Sequence, residues 1–262
     1  MKIFRILKAS IRQSIIYEMQ YRVNLVMNSI AGFGWTFMSF LTINIIGSNV
    51  SSIYSLWTVT EYRLLWGMNF IAEGIVSSFF KRNLEMLPDK ILKGDLDFIL
   101  TRPFNSKILA SLGYTRIDTL LGFIFESYIV LYSLLHLNNG IPFLINILCL
   151  IILCICGSIV YYSLMISFLT FSFWLLGAFN LVYLIHQIVS FANYPINAFG
   201  RFFTILFTFI IPIAFIATFP AESLINFSPL KMVIIILVTV LIYKLSDLLW
   251  FIGLKSYSSA SS

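Results

Sequence analysis

Residues 143–169 read FLINILCLIILCICGSIVYYSLMISFL, and no charged side chain interrupts them. A bilayer's hydrocarbon core is about 30 Å thick, so a helix of roughly 20 apolar residues crosses it. This stretch is longer than that, and the solvent it asks for is lipid. Working outward, further apolar runs occur at Val23–Ile46, Tyr62–Phe80, Leu120–Leu137, Phe171–Phe191, Phe202–Phe219 and Met232–Leu249. The 262-residue chain is 60% hydrophobic and 11% charged, whereas soluble domains carry about 25% charged residues. One soluble core could not hide so much apolar surface, and no polar stretch is long enough for a second domain. Residues 1–262 are therefore expected to form a single all-α integral membrane unit.

The net charge is +6. Basic residues beside apolar runs point to anionic lipid and topology rather than to nucleic acid. With the N-terminus inside, thirteen of the 17 Lys and Arg residues fall on the cytoplasmic side. Only Arg63, Arg201 and Lys231 fall outside, and Lys244 lies within the last run. Seven crossings would put Lys255 on the wrong side, and the sixth run resolves this. It holds Pro212, follows Tyr194–Pro195 and Gly200–Arg201, and ends at Pro220. Proline removes an amide donor and breaks a straight helix. Residues 194–229 are expected to form a re-entrant hairpin in the outer leaflet between spans 5 and 6, with a proline-kinked span as the alternative. Six transmembrane helices remain, with both termini cytoplasmic. At the N-terminus, Phe4, Leu7, Ile11 and Ile15 recur at helical spacing beside Arg5, Lys8 and Arg12. Residues 1–22 thus read as an amphipathic helix on the membrane surface.

The polar exception is KRNLEMLPDKILKGDLDFILTRPFNSK, residues 81–107, a cytoplasmic loop between spans 2 and 3. Pro88 suits the first turn of a helix and Gly94 the residue just past its end. Leu84, Leu87 and Ile91 give a short apolar edge, rimmed by Asp89, Asp95 and Asp97 and closed by Arg102–Pro103. A helix this short needs outside support. Apolar residues ringed by charge suit a docking surface, and a solvated, orienting loop is the other reading.

No phosphate-binding loop, zinc-protease helix or nucleophile elbow occurs in the chain. Cys149, Cys154 and Cys156 sit in one apolar run and read as small hydrophobes. Polar groups at membrane depth are costly and often functional. Asn69, Glu73, Glu126, His186 and Gln187 are the candidates for a translocation path, with Gly67 and Gly74 allowing close helix approach. Structural hydrogen bonding between helices is the competing reading.

The loop motif ILKGDLDFILTRPFN, residues 91–105, resembles a G-x-L-D-x-x-L-x-R-P signature of type-2 ABC transporter permeases. Here it comprises Gly94, Leu96, Asp97, Leu100, Arg102 and Pro103. FANYPI at Phe191–Ile196, FIIPIAF at Phe209–Phe215 and FPA at Phe219–Ala221 are similar to a second region of that family. The likeness is to the six-span branch that includes viologen-exporter-like permeases. It implies a membrane-spanning exporter subunit in the bacterial cytoplasmic (inner) membrane that is not itself an enzyme. Its 81–107 loop would hold a coupling helix docking on a separate ABC ATPase, present in two copies. Residues 1–22 would be the connecting helix. A second permease, homologous or identical, would complete the pathway among membrane lipids. The chain itself would bind no cofactor, with ATP and Mg held by the partner. An ion-coupled secondary transporter or channel subunit, working through Glu73, Glu126 or His186, is the alternative.

Overall fold

A computed structural model describes residues 2–49, 57–137, 140–175 and 179–258. Among them the chain is helical, with no β-strand. Three helices are long and apolar enough to cross a membrane: Arg22–Ser48, Phe143–Phe173 and Pro229–Lys255.

Helix α1 (Lys2–Gln20) leads through Tyr21 into α2 (Arg22–Asn49). Helix α3 (Val59–Val76) starts with a capping box. The Thr58 hydroxyl accepts from the Glu61 N–H at 3.3 Å, and the Glu61 carboxylate accepts from the Thr58 N–H at 2.7 Å. Every residue from Leu64 to Ala72 is buried, so α3 is enclosed on all sides. A π-helical turn, Ser77–Lys81, carries α3 into α4 (Arg82–Glu85). Short helices α5 (Leu87–Leu92), α6 (Asp97–Leu100) and α7 (Ser106–Ser111) make up the loop. Helices α8 (Leu120–Leu135) and α9 (Phe143–Thr170) follow. The core is built where α9 packs on α13 (Pro229–Lys255) and on α3, with α8 against α3 and α2 against α8. Gly67 serves the α3–α8 contact, since a Cβ there would stand 2.3 Å from the Val130 Cγ2.

The fifth apolar run is not one continuous helix. A 3-10 turn at Phe171–Phe173 ends α9, and α10 begins only at Phe179 and runs to Ser190. Trp174 turns back so that its indole N–H donates to the Ser256 hydroxyl at 3.0 Å. Gly177 lies outside the described residues, as do 259–262 of the polar tail.

Residues 191–228 are broken as their prolines require. Two 3-10 turns lead to α11 (Gly200–Ile205), whose π-helical continuation ends at Ile210, just before Pro212. A further 3-10 turn (Ile213–Phe215) and α12 (Thr218–Ile225) follow. Gly200 has φ +69°, a conformation that favours glycine. Irregular backbone survives among apolar helices only where protein covers it. Here Ile213, Ala214, Ile216 and Ala217 are almost fully buried. Gly157, midway along α9, makes room for them, because a Cβ there would lie 2.3 Å from the Ile216 carbonyl oxygen.

Helix α1 does more than float on a surface. Ser10, Ser14 and Glu18, one turn apart, form a buried polar stripe. The Ser10 hydroxyl donates to the Gly113 carbonyl, and the Ser14 hydroxyl accepts from the Thr115 N–H at 2.9 Å. Ile15, Ile16 and Met19 remain exposed on the other side. The side chains of Phe4, Arg5 and Leu7 lie outside those described.

Candidate functional site

The loop after α4 is fastened from beneath. Leu84, Leu87 and Leu96 are fully buried, and Ile91 and Ile99 pack on the same core. The apolar edge expected at Leu84, Leu87 and Ile91 therefore turns inward. An apolar side chain within reach of its own core is desolvated there first, so Leu84 and Leu87 support the loop and present nothing outward. The exposed apolar residues are instead Met86, Leu92, Phe98 and Leu100, with Phe98 72% exposed. Asp95, Arg102 and Pro103 are exposed beside them, and Asp89 and Asp97 are half-buried. Pro88 lies in the first turn of α5. Gly94, at φ +78°, reverses the chain, and the Leu96 N–H closes the turn on the Lys90 carbonyl at 3.2 Å.

The far end of the loop is tied to α13. Lys107, 1% exposed, donates from Nζ to the Ser246 hydroxyl and the Asp247 Oδ1, each at 2.7 Å. Its ammonium stands 4.3 Å from the centre of the Tyr243 ring. Burial pulls the Lys107 pKa down, and Asp247 opposes that pull. The Trp250 indole N–H donates to the Ser106 hydroxyl at 3.0 Å, and Ser111 and Tyr162 share a hydrogen bond at 2.8 Å. Lys244 lies three residues before Asp247 on the same helix, but the aspartate's salt bridge is with Lys107.

Within the helix bundle, Glu73 and Glu126 line one cavity of about 310 Å³ between α2, α3 and α8, together with Gly74 and Gly122. The Lys81 ammonium donates to the Glu73 Oε1 at 3.3 Å. Glu126 is 5% exposed, and its Oε2 has no hydrogen-bond partner. The other candidates lie apart. Asn69 is buried and donates to the Asn193 Oδ1 at 2.8 Å. His186 meets Glu85 at 2.7 Å, whereas Gln187 is exposed. Burial would raise the Glu85 carboxyl, but the hydrogen bond and charge of His186, with Lys81 and Arg116, hold it below the ordinary carboxylate value.

A second cavity of about 420 Å³ opens where α1 meets α2 and α4. Glu18, Arg82, Tyr114, Arg116 and Asp118 are among its walls, and Arg116 and Asp118 also border the first cavity. Arg116 forks onto Asp118, Nε to Oδ1 at 3.1 Å and Nη2 to Oδ2 at 2.5 Å. That hydrogen bonding raises the Arg116 pKa. The Tyr114 hydroxyl donates to Glu18 Oε1 at 2.8 Å. Burial and the Glu18 carboxylate push Tyr114 up to about 12. The signal for this site in the sequence is the Ser10–Ser14–Glu18 spacing, a polar stripe at helical period beside the apolar one.

A family model described as ABC-2 family transporter protein matches residues 33–261. No curated protein and no solved structure matches the chain.

Proposed function

The chain belongs to the ABC-2 transporter family, whose members are membrane permeases, and from that premise we propose that it forms the translocation pathway of an ATP-driven exporter together with a second, homologous or identical permease. Two copies of a separate ATPase, which hold ATP and Mg, drive it. The reading places a multi-pass protein in the bacterial inner membrane with six spans and both termini cytoplasmic. Helix α1 is its connecting helix, α5 and α6 carry the coupling surface, and residues 194–229 form the re-entrant region. The observation that supports this best is the loop itself. Exposed Met86, Leu92, Phe98 and Leu100 stand on a base fixed by Leu84, Leu87 and Lys107. Apolar residues presented by a rigid element suit a partner that pushes and pulls.

The test is transport by proteoliposomes carrying the permease with and without the ATPase subunit. Export that needs the second polypeptide and hydrolysable ATP is expected. Transport by the permease alone would instead favour an ion-coupled carrier or channel. The one observation on that side is the pair of carboxylates in a single cavity.

That pair carries a second expectation. Two acidic groups beside one cavity suit a cationic cargo. Glu73→Gln and Glu126→Gln are each expected to lower export of a cation by about tenfold or more, one charge contact being worth on the order of 1.4 kcal/mol. Export of a cationic dye at the unaltered rate in both variants would remove these residues from the path.

A further inference from the structure

The larger cavity lies away from the exposed face around Phe98 and shares only Arg116 and Asp118 with the cavity of Glu73 and Glu126. Most of its charges are matched within the chain: Arg116 by Asp118, Lys81 by Glu73, and Glu85 by His186. Two groups are left over. The Arg82 guanidinium has no ion-pair partner among the described residues and lies 3.9 Å over the centre of the Tyr114 ring. Glu18 is 8% exposed, and its Oε2 has no hydrogen-bond partner. Its Oε1 already accepts from the Tyr114 hydroxyl and from the Ile117 N–H at 3.3 Å. A buried carboxylate oxygen without a donor is costly, and a bound group that donates to it removes the cost. The two unmatched groups sit at the two ends of one tyrosine, the cation over the ring and the carboxylate at the hydroxyl.

A ligand that satisfies both carries an anion and a hydrogen-bonding cation a few bonds apart. The position of the cavity narrows the choice. It lies at the start of α2, a membrane-spanning candidate, with Tyr17 and Tyr21 on its wall. Val23 and Met27 on the same turns are 79% and 61% exposed. Tyrosines beside exposed aliphatic residues mark the headgroup level of a bilayer. We propose that this cavity binds the phosphoethanolamine headgroup of a membrane phospholipid, with its phosphate on Arg82, its primary ammonium on Glu18 and its acyl chains along α2. Arginine holds phosphate through paired charge-assisted bonds, and the tyrosine rings favour the ammonium. A choline headgroup has no N–H to give Glu18, and a glycerol headgroup has no cation. The phosphate and ammonium chemistry would be the same in a soluble headgroup, so the experiment separates the two sources.

Delipidated full-length permease is titrated, under native mass spectrometry, with phosphatidylethanolamine, phosphatidylcholine and phosphatidylglycerol of identical chains, and with soluble glycerophosphoethanolamine. Phosphatidylethanolamine is expected to bind about tenfold tighter than the other two lipids, with the soluble compound far weaker. Arg82→Gln and Glu18→Gln are each expected to weaken its binding about tenfold. Arg82 is exposed, so its variant keeps the fold and decides the matter even where Glu18→Gln is poorly folded. Equal binding of the three lipids, or unchanged phosphatidylethanolamine affinity in Arg82→Gln, overturns the proposal. Soluble headgroup binding as tight as the lipid's overturns the membrane source.

Discussion

Phe98→Asp is expected to release the ATPase from the permease while leaving the permease folded. Phe98 is 72% exposed, so the chain's own stability does not rest on it. Full burial of such a side chain in a partner is worth about 1.5–3 kcal/mol. Placing a carboxylate in the pocket that received it adds a desolvation cost. The combined loss should exceed about a hundredfold in affinity. The check is co-purification of the two subunits, with the melting temperature of the permease as control. Charge reversal at Asp95 or Arg102, both at the rim, should act more weakly, chiefly on association rate and its salt dependence. Full recovery of the ATPase with Phe98→Asp would mean that the exposed apolar residues of the loop face lipid or solvent instead.

The second large effect lies at the root of the loop. Asp247→Ala leaves the Lys107 ammonium, 1% exposed, without its anion. Breaking a fully buried pair from one side costs about 3–5 kcal/mol, and this pair, buried on the lysine side only, should fall toward the lower end of that range. Lys107→Met should cost less, because it leaves no buried charge and Asp247 keeps about a third of its side chain in solvent. The double variant Lys107→Met/Asp247→Leu should recover most of the loss, since apolar replacements of ion pairs are often neutral. Burial already lowers the Lys107 pKa, and removing Asp247 lowers it further. The unfolded state then binds more protons than the folded state up to the ordinary lysine value, so stability rises with pH. The Asp247→Ala defect should shrink as pH is raised toward 10, read as melting followed by tryptophan fluorescence in detergent. A defect that grows with pH would contradict the buried-ammonium account.

Much of the helical plan is legible in the sequence because hydropathy and proline act locally. Val23–Ile46, Phe143–Leu169 and Met232–Leu249 each fall inside one long helix. Pro88 and Gly94 bound α5, and Pro212 sits at the break after Ile210. Family membership, too, was readable from the loop motif and the Phe191–Ala221 region. What the sequence does not carry is partner choice over distance. Asp247 could have paired with Lys244 one turn away, and only the docking of α7 on α13 brings up Lys107. Leu84 and Leu87 look the same in sequence whether they face a partner or their own core. The polar stripe of Ser10, Ser14 and Glu18 has its meaning from residues 113–117, some hundred positions later. Of the path candidates, Glu73 and Glu126 meet in one cavity because α3 and α8 pack closely at Gly67, whereas Asn69 and His186 were claimed by Asn193 and Glu85.

On the proposed function, the permease is moved by a separate ATPase through the surface around Phe98. The most direct measurement is crosslinking in native membranes from a photoreactive side chain placed at position 98. The account predicts a single major adduct with a polypeptide that carries a phosphate-binding loop, stronger when ATP is bound. Adducts with lipid alone, or labelling of Phe98→Cys by a membrane-impermeant thiol reagent added outside intact cells, would contradict it.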